Sequence, residues 1–143
     1  MSAASGPAFV DTNVLVYAFS RVESPKRTAA KKLLLALMDS DRLRLSTQVL
    51  QEFFVTLTRK GDPPCAASEA IRYVDDLAAW PVFSVDVEAI REAARLTSGA
   101  RISFWDALIV IAAVRSGAAS LYTEDLNHGQ RILGIEISNP FAS

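Results

Sequence analysis

Ala8-Phe9-Val10-Asp11 is three apolar residues followed at once by an acid. So short an apolar run, preceded by Gly6-Pro7 and ended by an acid, reads as a strand buried on both faces. A second short strand reads at Ser120-Leu121-Tyr122-Thr123, with Glu124 and Asp125 just beyond. Between these two strands, helical and extended segments alternate. Val14 to Phe19 reads as a short helix, and Ser24 caps another from Pro25 to about Met38, with proline at its first position. Arg42 to Ser46 alternates basic and apolar residues, as a strand does. A helix from Thr47 to Lys60 is ended by Gly61, Pro63 and Pro64.

A further helix covers about Ala66 to Trp80, and Val82 to Val85 is a third strand. Asp86 caps a helix through about Thr97, closed by Gly99. Ser103 caps one from Phe104 to about Ser116, closed by Gly117. Ser120 to Thr123 is the fourth strand and Ile135 to Ile137 a fifth. This alternation predicts an α/β fold: one domain over residues 1–143, with a parallel sheet of four or five strands flanked by helices on both faces. In such folds ligands bind beyond the carboxyl ends of the strands, where the strand order reverses. Asp11 and Asp125 stand at that kind of position.

Composition narrows the function classes. The chain has 143 residues, 50% hydrophobic and 22% charged, which suits one globular core. Its longest apolar run, Ala107 to Val114, is far short of the ~20 residues that span a bilayer. Met1 to Pro7 lacks the basic-then-apolar layout of a secretory signal, so the expectation is a cytoplasmic protein with no membrane partner. Cys65 stands alone, which rules out an internal disulfide and a multi-thiolate zinc site. His128 is the sole histidine, and nothing in the sequence places it beside Cys65. The 15 Lys+Arg against 16 Asp+Glu argue against coating of a polyanion by bulk charge. They leave room for a nucleic-acid enzyme whose positive charge comes from bound divalent cations.

The acids carry the chemistry. Asp11 reads equally as a helix cap or as a metal ligand at the end of a central strand. Asp106 is the only charge before Arg115 in a helix that is apolar on nearly every face, so it is expected to be buried. A first-turn dipole interaction, worth ~0.3–1 kcal/mol, does not offset desolvation of an unpaired ion, which costs several; a nearby cation would. Glu52 lies on the polar border of its helix, where a glutamate on its own is usually just solvated. Asp125 reads as a turn or cap residue or as a ligand, and Glu124 beside it should point the opposite way. Together, converging carboxylates repel one another and raise one another's pKa values. A hard, oxygen-seeking cation, Mg2+ or Mn2+, relieves that repulsion.

The neighbours of these acids stay open. Thr12, Asn13 and Thr123 either orient the ligands or shape turns. Phe104 and Trp105 either stack on bases or fill the core. Lys26, Arg27, Lys31 and Lys32 form a charged helix face, and Arg59-Lys60 end another helix; such faces are usually solvated.

Four segments resemble the PIN-domain nucleases, and most closely the VapC toxins of bacterial toxin–antitoxin pairs. They are Phe9-Val10-Asp11-Thr12-Asn13-Val14-Leu15, Ser46-Thr47-Gln48-Val49-Leu50-Gln51-Glu52-Phe53, Phe104-Trp105-Asp106-Ala107-Leu108-Ile109 and Leu121-Tyr122-Thr123-Glu124-Asp125-Leu126. The tail from Ile135 through Asn139, Pro140 and Phe141 is also similar. The resemblance implies a five-stranded parallel sheet and a metal-dependent ribonuclease with Asp11, Glu52, Asp106 and Asp125 as catalytic and metal-holding residues. It implies Mg2+ or Mn2+, an RNA substrate, a homodimer and a VapB-type antitoxin. Asp11 and Asp106 would hold the principal metal, and water would attack in line without a covalent intermediate.

Three other readings remain on the sequence alone. A haloacid dehalogenase-type phosphatase also has an aspartate after its first strand, but expects a second two residues on, where this chain has Asn13. A PIN-like fold could serve as a non-catalytic RNA- or protein-binding module. Finally, His128 could support metal-free acid–base cleavage.

Overall fold

The computed structural model describes residues 6–61 and 63–142; most of Met1 to Pro7 lies outside them. Ala8, Phe9 and Val10 form strand β1 (Ala8–Val10) and are all fully buried. Successive strand residues point to opposite faces, so a strand buried at every position must lie in a sheet covered on both sides. The chain continues through α1 (Thr12–Phe19), α2 (Pro25–Asp39), β2 (Leu43–Ser46), α3 (Thr47–Arg59), α4 (Ala67–Leu77), β3 (Val82–Phe83) and α5 (Val87–Gly99). It ends with α6 (Phe104–Arg115), β4 (Ser120–Tyr122), β5 (Arg131–Ile132) and β6 (Ile135–Ser138). The sheet order is β3-β2-β1-β4-β6-β5. Pairs β1–β2, β1–β4, β2–β3 and β4–β6 are parallel, which gives the five parallel strands expected.

The sixth strand is an addition to that expectation. β5 pairs antiparallel with β6 through Ile132↔Ile135, across a two-residue turn in which Leu133 and Gly134 have φ of 51° and 82°. Two positive φ values make the turn whose twist matches a hairpin, normally signalled by Asn-Gly or Asp-Gly. Leucine in the first position hides it.

The helix starts follow their caps. Ser24, Ser46, Asp86 and Ser103 each accept a backbone N–H from the first turn of α2, α3, α5 and α6. α4 has no side-chain cap and is shorter than expected at both ends. At the close of α3, a Cβ on Gly61 would lie 2.8 Å from the Leu57 carbonyl oxygen, so glycine is needed for that close approach. α6 is the central helix: Ala107 through Ala113 are all buried. Its Ile109, Val110, Ala112 and Ala113 join the main core, while Ala107, Leu108 and Ile111 pack with Ala89 and Ala93 of α5. Among the described residues, no helix is long and apolar enough to cross a membrane.

Candidate metal centre and nucleic-acid interface

β1 and β4 run side by side, with Phe9 opposite Leu121. β2 and β3 extend the sheet to one side of this pair, and β6 and β5 to the other. The strand order therefore reverses between β1 and β4, and the crevice beyond their carboxyl ends is the expected ligand site. A cavity of about 430 Å³ lies there. Asp11, Glu52, Asp106 and Asp125 all line it, together with Thr12, Asn13, Gln48 and Trp105.

Asp11 sits at the base. Its backbone N–H donates to the Tyr122 carbonyl (3.0 Å), which ties the ends of β1 and β4 together. Its Oδ1 accepts the Thr12 N–H at 2.7 Å, and its Oδ2 accepts the Thr123 hydroxyl at 2.8 Å. Asp11 therefore caps α1 and faces the cavity at once, and each oxygen keeps a lone pair for a further partner. Only 6% of the residue is exposed. Burial pushes its carboxyl up to about 6. The bonds from Thr123 and Thr12 oppose that rise, and the negative charges of Asp125 and Glu52 add to it.

The other three acids come from separate elements. Glu52, on α3, accepts the Thr12 hydroxyl at Oε1 (2.8 Å). Asp125 lies three residues past β4, and its backbone N–H donates to the Thr123 hydroxyl oxygen at 3.1 Å. Its carboxyl is raised, first by burial and then by the charges of Asp106, Glu124 and Glu52. Glu124 turns away and accepts from the Lys26 ammonium at 2.8 Å, as adjacent residues in extended chain should diverge. Thr12 and Thr123 are thus bonded to site acids, whereas Asn13 simply lines the cavity.

One premise is corrected. The apolar surroundings of Asp106 in its helix predict a buried acid, but it is only half-buried, and Trp105 beside it is 62% exposed. α6 starts at the cavity mouth and becomes enclosed only from Ala107 onward. The desolvation argument belongs to Asp11 instead.

Gln48 is the residue that sequence reasoning missed. It is 5% exposed and donates from Nε2 to the Trp105 carbonyl at 3.4 Å, while its Oε1 is buried without a partner. The signal was its spacing: Gln48, Glu52, Thr56 and Lys60 recur every four residues, and all four line the cavity. His128 does not line it; its Nδ1 accepts the Asn139 N–H at 2.9 Å.

The donor set suits a hard cation. Oxygen atoms from four carboxylates face one cavity, and among the described residues none of the four acids forms a salt bridge. Gln48, which lines the same cavity, carries a buried Oε1 without a partner. Among the described residues, no three His, Cys, Asp or Glu side chains form a tight metal-holding group. Mg2+ often keeps several waters and uses few protein carboxylates.

Comparison with known proteins places this geometry. The PIN domain family model matches residues 8–131. Three solved structures share the fold. A toxin–antitoxin complex from Klebsiella pneumoniae superposes with TM-score 0.70 at 19% identity, covering 94% of this chain and 98% of its own. VapC20 of Mycobacterium tuberculosis, described as a sarcin-ricin loop cleaving toxin, gives 0.65 at 18%, covering 82% and 89%. VapBC2 from Rickettsia felis, bound to a DNA fragment from its promoter, gives 0.64 at 18%, covering 92% and 97%. No curated protein matches the sequence. With the family model spanning most of its length and its strands and helices arranged as in VapC toxins, the chain belongs to the PIN domain family.

Proposed function

We propose that the protein is a divalent-cation-dependent endoribonuclease that hydrolyses RNA phosphodiester bonds, acting as the toxin of a toxin–antitoxin pair. One observation carries this reading: four acids from four elements line a single crevice at the strand-order reversal, none of them in a salt bridge among the described residues. Asp11 and Asp106 would hold the principal Mg2+ or Mn2+, with Glu52 and Asp125 completing the set directly or through water. A cation bound there would neutralise charge on the scissile phosphate and lower the pKa of water.

The chain's own residues prepare the site. Thr123 and Thr12 fix the rotamers of Asp11 and Glu52 by hydrogen bonds, as partners of metal-holding carboxylates commonly do. Burial of Asp11 holds its carboxyl up near 6, so it is ionised at neutral pH at an electrostatic cost that a cation relieves. Gln48 joins α3 to the first turn of α6 through its Nε2, and its Oε1 is buried without a partner.

The toxin reading rests on the likeness to the VapC and VapBC structures. It brings with it a VapB-type antitoxin, a homodimer and a cytoplasmic setting where RNA is accessible. The test is cleavage of RNA by purified protein with Mn2+ and with EDTA, beside Asp11→Asn and Asp106→Asn variants whose folding is checked by circular dichroism. Cleavage that needs the metal and is lost in both variants is expected. Cleavage that survives EDTA but falls in His128→Ala would instead favour metal-free acid–base chemistry, and no cleavage at all would favour a binding module.

A further inference from the structure

α3 and α6 both begin at the acid cavity, and their first turns are held very differently. α3 starts directly at the end of β2, from a fully buried Ser46 whose Oγ accepts the Val49 N–H at 3.3 Å. The Thr47 hydroxyl accepts the Val85 N–H at 3.1 Å, which fastens this start to the connection after β3. α6 starts in the open, with Trp105 mostly exposed and Asp106 half-buried. Ser103 caps it from within the same turn. Among the described residues, one hydrogen bond ties that turn to another element. It runs from Gln48 Nε2 to the Trp105 carbonyl, at 3.4 Å.

We infer that Gln48 is a positioning residue: its amide N–H holds the first turn of α6 against α3 and so sets where Asp106 stands relative to Glu52. Glu52 lies one turn beyond Gln48 on α3, and Asp106 follows Trp105 directly, so the bond joins the two helices within a turn of both acids. The inference rests on the cation-dependent reading and adds to it a residue outside the four acids. Packing does not account for the amide. The side chain is 5% exposed and its Oε1 lacks a partner. Methionine would fill a similar volume without leaving a buried acceptor unpaired. Nor does α6 need the bond in order to form, because the i→i−4 pattern already gives the Trp105 carbonyl the Ile109 N–H. What the bond adds is a fixed spacing between the rigid start of α3 and the open start of α6.

The test compares Gln48→Met, which keeps the length and removes the amide, with Gln48→His, whose ring Nε2–H returns a donor near the same place. Amide hydrogen exchange is measured first, in EDTA. The Asp106 and Ala107 amides, bonded to the Ser103 hydroxyl and carbonyl, report on the first turn of α6. Their exchange should rise about fivefold in Gln48→Met, as for loss of one neutral hydrogen bond, while that of Val110 to Ala113 should not rise. Mn2+ binding, read from the electron paramagnetic resonance of the free ion, should weaken about tenfold in Gln48→Met and recover in Gln48→His. With an RNA oligonucleotide, kcat should fall while KM stays within about twofold. Unchanged first-turn exchange in Gln48→Met overturns the inference, and so does wild-type Mn2+ affinity in that variant. Faster exchange throughout α6 would mark a purely structural residue and overturns it as well. A folded histidine variant that behaves like the methionine one overturns the role of the donated bond. Since exchange is read without metal, a wild-type protein that binds no Mn2+ would count against the cation reading and not against the link between the helices.

Discussion

The Thr123 hydroxyl donates to Oδ2 of Asp11 across 2.8 Å, joining residues 112 apart in sequence. The same oxygen accepts the Asp125 N–H. One fully buried hydroxyl thus sets the ends of β1 and β4 and bonds both to the carboxylate of Asp11 and to the backbone of Asp125. Thr123→Val keeps the shape and removes both bonds, at a cost of about 1–3 kcal/mol from buried groups left unpaired. Because the Thr123 bond lowers the Asp11 pKa, the acid limb of the pH–rate profile should move to higher pH, and Thr123→Ser should bring it back. An unmoved acid limb in the valine variant would show that the bond does not tune the site.

The buried Asp11 predicts how stability of the metal-free protein varies with pH. Its carboxyl rises from 3.8 to about 6 on folding, so between those values the native state binds more protons than the unfolded chain. Stability therefore falls as pH climbs through this window and levels off above it, by about 3 kcal/mol at ~1.4 kcal/mol per pH unit. Asp125 shifts in the same direction. Glu69, lowered to about 2 chiefly by the Arg21 guanidinium, acts in the opposite sense and only at lower pH. Urea denaturation in EDTA should show greater stability near pH 4 to 5 than at pH 7. Adding Mn2+ should recover the loss at pH 7, and Asp11→Asn should flatten the slope.

Gln48 is held in a conflict between packing and chemistry. Its unpartnered buried Oε1 costs stability, of order 1 kcal/mol or more. Gln48→Leu is expected to raise Tm by about 2–4 °C for a chain of this size, while RNA cleavage falls. A variant that is both less stable and fully active would mean that the carbonyl already has a satisfying partner and no part in the site.

Glu124 and Asp125 separate by direction. Glu124 is taken by Lys26 on α2 in a solvent-screened pair that contributes little to stability. Asp125→Asn should lower RNA cleavage about tenfold or more, whereas Glu124→Gln should leave it within about twofold. Steady-state rates on one oligonucleotide decide between them, and the reverse ranking would assign the site acid to Glu124.

Much of the fold is legible in the residues because local rules and the global arrangement agree. The apolar triplet Ala8-Phe9-Val10 reads as a strand covered on both faces, and the caps Ser24, Asp86 and Ser103 mark three helix starts. What stays hidden depends on tertiary placement. Leu133 gives no sign that its φ is positive, so β5 has no local signature. The apolar sequence of α6 cannot tell that the helix enters the core one residue after Asp106. Gln48 reads as an ordinary first-turn polar residue until α6 closes over it. The convergence of four acids is foreshadowed by their positions after strands and on helices. Their division of labour, with Asp11 buried and Asp106 at the mouth, follows only from how α6 packs against the sheet.

Crystals soaked in MnCl2 and measured at the manganese absorption edge give the most direct test of a cation-centred site. An anomalous peak is predicted in the crevice beyond β1 and β4, within about 2.0–2.3 Å of carboxylate oxygens of Asp11 and Asp106, and absent from Asp11→Asn crystals. A map with no peak between those two residues at saturating Mn2+, or with manganese bound only elsewhere, would contradict it.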